Sequence, residues 1–464
     1  MSDTQTQSTG LYDAAVSEAE QRDALLSGNV PVAVTGLGKM GLPLAAVYAE
    51  VTGNVTGVDI DQTVVDRLSN GDCHITGEPE LPTLVEELVA DGAFAPTTDG
   101  VGAAEAARIH VVIVPTLIDD AGGPDLSAIE NAMTTIGQGL SPGDIVIAES
   151  TLPPRSCEDI IRPILERESG LSLGEFGMAF CPERTASGQA LEDIRGAYPK
   201  IVGGLDEEST RVGELIYGEI NDNEIITVSD ATTAEAVKVF EGVYRDVNIG
   251  LANELALQTD SIGIDVTEAI EAANTQPFCQ IHDPGAGVGG HCIPYYPRFV
   301  MDVAGEPTPI MQHARETNEY MPRYTAEHTV DGLRAEGIDP ERASVLVLGL
   351  TYRPGVDEIR AAPSLGIVDS LTDAGVDVTA VDPVNTHTEP FENAGATLRS
   401  LEKLETGFDA VVLVTPQPSF ADLDVPSLGK PTGDTRLVVV DGRSELKDLR
   451  THDDIHYRGI GINV

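Results

Sequence analysis

The chain has 464 residues, with 76 acidic side chains against 28 basic ones and a formal net charge of −48. That length exceeds one ordinary core and predicts two or three domains. Carboxylates in such excess repel a phosphate backbone and exclude a nucleic-acid surface, while 41% hydrophobic residues in regular apolar runs exclude disorder.

Residues 1–29 read as a polar, acidic leader with no basic n-region and no apolar h-region, so not a signal peptide. PVAVTG (31–36) reads as a buried strand, followed by a helix from about Lys39 to Glu50 and a second strand, NVTGVDI (54–60). HVVIVPT (110–116) and DIVIAEST (144–151) are further short apolar strands separated by helix-length segments. Strands that are apolar throughout and alternate with helices predict a doubly wound parallel sheet. From Thr232 to about Ala273, apolar residues recur at three and four spacings, which predicts one long amphipathic helix that joins two domains and packs on a partner subunit. Alternation then returns with SVLVLGLTY (344–352), VDVTAVDP (376–383), AVVLVTP (410–416) and LVVVDGR (437–443). The expected fold class is α/β, with two Rossmann-like doubly wound parallel-sheet domains joined by a helical core.

GLGKMG places Gly36, Gly38 and Gly41 in dinucleotide-binding spacing, with Lys39 and Met40 inside the turn. The first glycine permits the tight turn, the second lets backbone approach a pyrophosphate, and the third packs helix on strand. Asp59 ends the next strand about 20 residues on, where a carboxylate grips a ribose 2′-hydroxyl. Ile60 and Asp61 follow it, with no arginine for a 2′-phosphate, so NAD is expected in preference to NADP.

Five cysteines, Cys73, Cys157, Cys181, Cys279 and Cys292, are an odd number without a CxxC pair. A disulfide framework and a zinc site are both disfavoured, no metal is expected, and the protein is expected to be cytoplasmic. No apolar run approaches the ~20 residues that span a bilayer. One stretch stands apart: GAGVGGHCIPYYP (285–297), four glycines leading into His291 and Cys292. Bare backbone costs conformational entropy and marks a place where something comes close to the main chain. A nucleophilic thiol beside a dinucleotide site would let a dehydrogenase take an alcohol through a thiohemiacetal and a thioester to an acid.

With GVGGHCIP stand CPER (181–184), EST (149–151), RDVNIGLANELAL (245–257) and GLTYRPGVDEIR (349–360). Together, in this order, they resemble the UDP-sugar 6-dehydrogenase family, which includes the UDP-glucose and GDP-mannose dehydrogenases. GVGGHCIP and FCPER are similar to the members acting on UDP-N-acetyl-D-mannosamine and UDP-N-acetyl-glucosamine. The resemblance implies an NAD-binding domain (30–229), a helical dimerisation domain with the cysteine loop (230–335) and a UDP-binding α/β domain (336–464), assembled as a homodimer or dimer-based oligomer. It implies Cys292 as nucleophile, Lys238 for the alcohol proton or oxyanion, Glu183 for the attacking water, and Thr151 for positioning cofactor and water. Thr116, at the end of its strand, and Arg360 are implied at the NAD. Arg184, Thr185, Arg245, Gly289, Tyr352, Arg353 and Arg443 are implied at the UDP-sugar, with Lys238. Without the resemblance, Lys238 reads as a surface lysine lying along its helix, and His291 either lines the sugar pocket or serves the turn.

Three positions depart from the family pattern. Gly242 stands where the family usually has Asn, Tyr296 where it often has Asp, and Phe278 where the mannosamine type has Arg. The residues leave open UDP-N-acetyl-glucosamine or UDP-glucose as substrate. They also leave open a two-electron hydroxyacid dehydrogenase of the 6-phosphogluconate type and an inactive nucleotide-sugar-binding protein.

The acidity is dispersed along the chain while lysines number only six, a composition that resembles proteins of salt-in halophiles. Salt removes the self-repulsion of such a surface. The chain is therefore expected to keep its far-UV circular dichroism in molar salt, where the Debye length is ~3 Å, and to lose it near 0.01 M, where that length is ~30 Å.

Overall fold

Short apolar segments become parallel strands where helices can cover both faces, and the computed structural model, which describes residues 10–119, 122–185, 188–430 and 435–462, contains two such sheets. The chain divides into two compact units, 1–240 with 298–303, and 241–297 with 304–464. The sheet of the first unit has eight strands in the spatial order Ile225–Thr227, Lys200–Gly204, Gly177–Phe180, Ile145–Ala148, Ile109–Val112, Val32–Thr35, Val55–Val58 and Phe94–Thr97. All pairings are parallel except that of Gly177–Phe180 with Lys200–Gly204. The three strands at 109–112, 145–148 and 177–180 are buried at every residue, as sandwiching by helices requires.

Residues 10–29 fold onto this unit. Leu11, Tyr12 and Leu25 are buried in its core, and Ser17 and Glu20 form a capping box at the helix Glu18–Leu26. The Tyr12 hydroxyl donates to Asp206 at 2.7 Å and Arg22 pairs with Glu219 at 2.5 Å. Residues 1–9 lie outside the described residues.

The second unit repeats the first in outline. Its six parallel strands run in the order Thr397–Leu398, Asp377–Val381, Ser344–Leu348, Ala410–Leu413, Leu437–Asp441, Ile455–Gly459. The local hook is also repeated. The Gly36 N–H donates to Val58 O at 2.8 Å and the Gly349 N–H to Val381 O at 2.9 Å. Leu37 N then donates to Asp59 at 2.9 Å, and Leu350 N to Asp382 at 2.7 Å. Both glycines have positive φ, +96° and +88°, and a Cβ on either would strike the carbonyl of the neighbouring strand's exit, Ile113 or Thr415.

Two expectations are corrected. The long helix is Ala231–Leu257, followed by Thr259–Ile262 and Val266–Ala273 as separate helices. Gly263 at φ +76° ends the middle piece, and Asp265, accepting from Thr267 N and Glu268 N, starts the next. The strand before Thr116 ends at Val112, not at Thr116: Val114 pairs by both its N–H and its carbonyl with the Ser150 hydroxyl at 2.8 Å, and Pro115 has no N–H for a ladder. Among the described residues no helix is long and apolar enough to cross a membrane.

In the second unit, Glu336 caps the helix Pro309–Ala335 and accepts from the Arg436 side chain at 2.8 Å, the Arg436 N–H at 3.0 Å and His456 Nδ1 at 2.7 Å. Burial pushes this carboxyl up, but the bonds from Arg436 and His456 outweigh it and hold it at about 2. The folded value lies below the unfolded one of 4.5, so the stabilisation is complete above that pH and is lost as pH falls through about 2. Glu336→Gln should lower stability by about 2 kcal/mol at pH 7 and by progressively less below pH 4.5, as read from thermal unfolding across pH in molar salt.

Candidate active site

The turn after the first strand forms an anion cradle. A Cβ at Gly41 would strike Gly36 O, so loop and helix pack backbone to backbone, while a Cβ at Gly38 meets nothing within 4 Å. Open space thus lies over the one glycine where a pyrophosphate must approach, at the N-terminus of helix Gly41–Thr52. Asp59 accepts from Leu37 N with one oxygen and from Asp61 N at 3.0 Å with the other, and each oxygen keeps a lone pair for a ribose hydroxyl. Ile60 beside it is 99% exposed and offers an apolar face for a base. These residues fit NAD, and the exposed Asp61 carboxylate opposes a 2′-phosphate.

At the carboxyl edge of the same sheet, the Ser150–Val114 bridge holds the loops of Thr151 and Thr116 side by side. Strand Gly177–Phe180 leads into Cys181, Pro182 and Glu183. Lys238 is 7% exposed, which removes the surface reading. Its ammonium donates to the Glu183 carbonyl and stands 3.7 Å from the Glu183 carboxylate. Thr185 donates its hydroxyl to the Met40 sulfur at 3.0 Å, linking this loop to the cofactor turn. Arg184 bonds the Pro199 carbonyl and lies over the Tyr198 ring, 5.4 Å from its centroid.

Sequence reasoning missed the supports behind these groups. Glu149, fully buried, pairs with Lys200 at 2.6 Å and accepts from the Tyr217 hydroxyl, while its own carbonyl accepts from Glu183 N at 3.4 Å. Burial pushes its carboxyl up against the opposing pull of Lys200 and Tyr217. Glu235, three residues before Lys238, accepts from Arg155 N at 2.6 Å and Cys157 N at 2.8 Å, pinning the loop that begins at Thr151. Arg155 holds φ +77°, a left-handed conformation that the clamp sustains. Burial raises the Glu235 carboxyl to about 7 although Cys157 and Arg155 hydrogen-bond it. No local pattern in the sequence marks Glu149 or Glu235 for these contacts.

In the second unit, of five free cysteines Cys292 alone is exposed, at the first turn of helix Cys292–Val303. Cys157 and Cys181 are enclosed, and burial pushes both thiols up, which keeps them protonated and inert. The glycines before Cys292 are bare because the protein's own side chains lie on them. A Cβ at Gly285 would come within 2.9 Å of the Arg443 guanidinium, and one at Gly289 or Gly290 within 2.7 and 2.8 Å of Tyr352. Gly290 N also donates to the Arg360 carbonyl at 2.9 Å, while the Arg360 side chain pairs with Glu358 at 3.4 Å. Asn253 accepts from Gly285 N at 2.9 Å and Asn248 from His282 N at 2.8 Å, so the RDVNIGLANELAL stretch anchors the loop.

Tyr352, Arg353 and Arg443 line a cavity of about 750 Å³ with Lys447, Thr415 and Asp283. Of the residues expected at a UDP-sugar, the structure brings these three together and sets Gly289 beneath Tyr352; Arg245 is exposed on the long helix. Burial pushes the Arg443 guanidinium down, with Asp283 opposing, a cost that a bound diphosphate would offset. Lys447 was missed, although a lysine in so acidic a chain is itself a signal. Among the described residues no His, Cys, Asp and Glu cluster could hold a metal.

A dinucleotide cradle and a buried lysine–glutamate pair in the first unit, and in the second an exposed thiol and a cavity lined by two arginines and a lysine, fit an NAD-linked dehydrogenase with a second nucleotide site. Residues 30–221 match the NAD binding domain, 232–320 the central domain and 346–448 the UDP binding domain of the UDP-glucose/GDP-mannose dehydrogenase family. The chain belongs to that family and is an NAD-dependent enzyme. A protein of Pyrococcus horikoshii named UDP-N-acetyl-D-mannosamine dehydrogenase is 36% identical over 434 residues, 93% of this chain and 99% of that one. A solved structure of UDP-D-ManNAc dehydrogenase from the same organism has a TM-score of 0.84 at 35% identity, over 93% and 99% of the two chains. The NDP-N-acetyl-D-galactosaminuronic acid dehydrogenase of Methanosarcina mazei has a TM-score of 0.82 at 28% identity, over 97% and 98%.

Glu235→Ala would leave two backbone N–H groups without their acceptor. It should cost about 2 kcal/mol, visible as a lowered midpoint of thermal unfolding.

Proposed function

We propose that the chain oxidises the C6 hydroxyl of UDP-N-acetyl-D-mannosamine to the uronate, a four-electron reaction. The observation that carries the reading is the packing of the glycine loop. The backbone leading to the one exposed cysteine lies against Tyr352 and Arg443, which line the cavity where Arg353, Arg443 and Lys447 stand among the carboxylates Glu271, Asp283 and Glu445 and offer a nucleoside diphosphate its cationic partners. UDP-N-acetyl-glucosamine and UDP-glucose are the alternative substrates.

Bound NAD supplies the hydride acceptor for both oxidations, held by the turn from Gly36 to Gly41 and by Asp59. In the first, the alcohol proton passes to the Lys238–Glu183 pair as the carbon becomes an aldehyde. The Cys292 sulfur then adds to that carbon, and the carbonyl oxygen takes a proton, giving a thiohemiacetal. The second oxidation converts it to a thioester. Water held by Glu183 and Thr151 attacks the thioester carbon, the carbon–sulfur bond breaks, and the thiol is restored with release of the carboxylate. Arg353, Arg443 and Lys447 hold the diphosphate, Tyr352 and Gly289 shape its approach, and Arg184, Thr185 and Arg245 contribute further sugar or phosphate contacts. Thr116 and Arg360 serve the cofactor.

The division into a leader (1–29), an NAD domain (30–229), a helical core (230–335) and a UDP domain (336–464) belongs to the same reading, as does assembly into a homodimer. Exposed Tyr244 and Leu251 on the long helix, with Phe278 and Ile310, which are 92% and 71% exposed, support an apolar subunit contact. Five unpaired cysteines suit the reducing cytoplasm.

A panel of UDP-sugars assayed in molar salt should give two NADH per molecule of UDP-N-acetyl-D-mannosamine. One NADH would favour a two-electron dehydrogenase, and binding without any reduction would favour an inactive nucleotide-sugar binder. Cys292→Ser should cut uronate formation by about 10³-fold or more while NAD and UDP-sugar binding persist.

A further inference from the structure

The long helix carries a glycine at 242, one turn beyond Lys238, in an interior position that this residue type weakens. The reason lies in what rests on it. Gly242 is buried, and a Cβ there would run into the Tyr296 ring, with the Tyr296 Cβ and Cγ 2.9 Å away. Tyr296 is 4% exposed. It stands four residues after Cys292 on the helix Cys292–Val303, so ring and sulfur project from the same side of that helix, one turn apart. His291, on the other flank of the sulfur, sets its ring edge-on to Tyr295 at 4.9 Å and to Tyr296 at 6.5 Å. The loop before the thiol is fixed by Tyr352 and by the Arg360 carbonyl. The helix after it is fixed by the Tyr296 side chain packed against the main chain at Gly242. The two positions at which the sequence departs from the family's usual Asn and Asp are therefore in contact with each other, a large residue matched to the absence of one.

We propose that Tyr296, seated on the bare backbone at Gly242, is the positioning residue that sets the first turn of the Cys292 helix and with it the direction of the thiol. The role of the thiol in turnover rests on the proposed function above; the seating of the helix does not. The contact on Gly242 is made by Tyr296 Cβ, Cγ and Cδ2, and this packing is the feature the proposal invokes.

The test is a size exchange across the contact, with kcat, KM and amide hydrogen exchange of the peptide covering residues 290–300 read on each variant in molar salt. Gly242→Ala should lower kcat about 100-fold, the scale of an ångström-sized misplacement of a reacting group, with KM for the UDP-sugar and NAD little changed. Exchange in the 290–300 peptide should rise about tenfold as the first turn loosens. Tyr296→Phe keeps the ring and should retain kcat within about threefold. The double variant Gly242→Ala/Tyr296→Leu makes room for the new methyl and should recover at least about tenfold of the lost kcat, with exchange returning toward the parent rate. A Gly242→Ala protein matching the parent in both readouts overturns the proposal. So does a double variant no better than Gly242→Ala, or a Tyr296→Phe protein as impaired as Tyr296→Leu. If no UDP-sugar is oxidised by the parent, the function fails, and the exchange data still decide the seating.

Discussion

Side chains pressed onto bare backbone are the constraint on which both sites rest. A cofactor, a diphosphate and a reactive thiol all need main chain or main-chain amides at short range, and any Cβ in the way would hold them off. At Gly41 the occupant is the Gly36 carbonyl, at Gly289 and Gly290 it is Tyr352, and at Gly242 it is Tyr296. Within the cofactor turn, Gly38 instead faces open space, and that is the position facing the expected pyrophosphate. Each bare position loses helix or loop propensity locally and gains a contact whose geometry tolerates no slack. The loop before Cys292 is dense in glycine for that reason: it is where the second sheet's own residues lie against the chain.

The two sheets show how one local device supports different tasks. In both, a carboxylate ending the second strand catches the amide of the loop after the first. Asp59 takes two backbone donors and keeps capacity for a ribose. Asp382 accepts from Leu350 N, Thr351 N, the Thr351 hydroxyl and the Gln417 amide on one oxygen, and from Val384 N and Asn385 N on the other. Its lone pairs are spent on the protein, so it stiffens the GLTYRP loop.

Scarce cations concentrate where they act. Of six lysines, Lys39 lies in the cofactor turn, Lys238 pairs with Glu183, Lys200 with the buried Glu149, and Lys447 lines the second cavity. On a surface that repels anions globally these are points of local positive charge: Lys200 and Lys238 are largely withdrawn from water, where a charge is felt most, while Lys39 and Lys447 are exposed. The same withdrawal makes the supports costly to disturb: removing one partner of the Glu149–Lys200 pair would strand a buried charge.

Periodicity and spacing were enough to read inner strands of both sheets, the glycine turn after the first strand and the order of the motifs, because a strand buried on both faces and a glycine turn leave local marks. Residues that act at a distance left none. Glu235 clamps a loop 78 residues away in sequence and Glu149 meets Lys200 across 51, and nothing local announces either contact. The break after Leu257 was hidden because apolar spacing continues through it, while the turn at Gly263 and the cap at Asp265 decide the path. The sequence alone thus determined which elements form and which chemistry they carry, since propensity and pattern are properties of neighbours along the chain. Which carboxylate holds which loop, what covers each glycine, and that Gly242 and Tyr296 are one feature were decided only by tertiary packing, where partners are chosen by space rather than by succession.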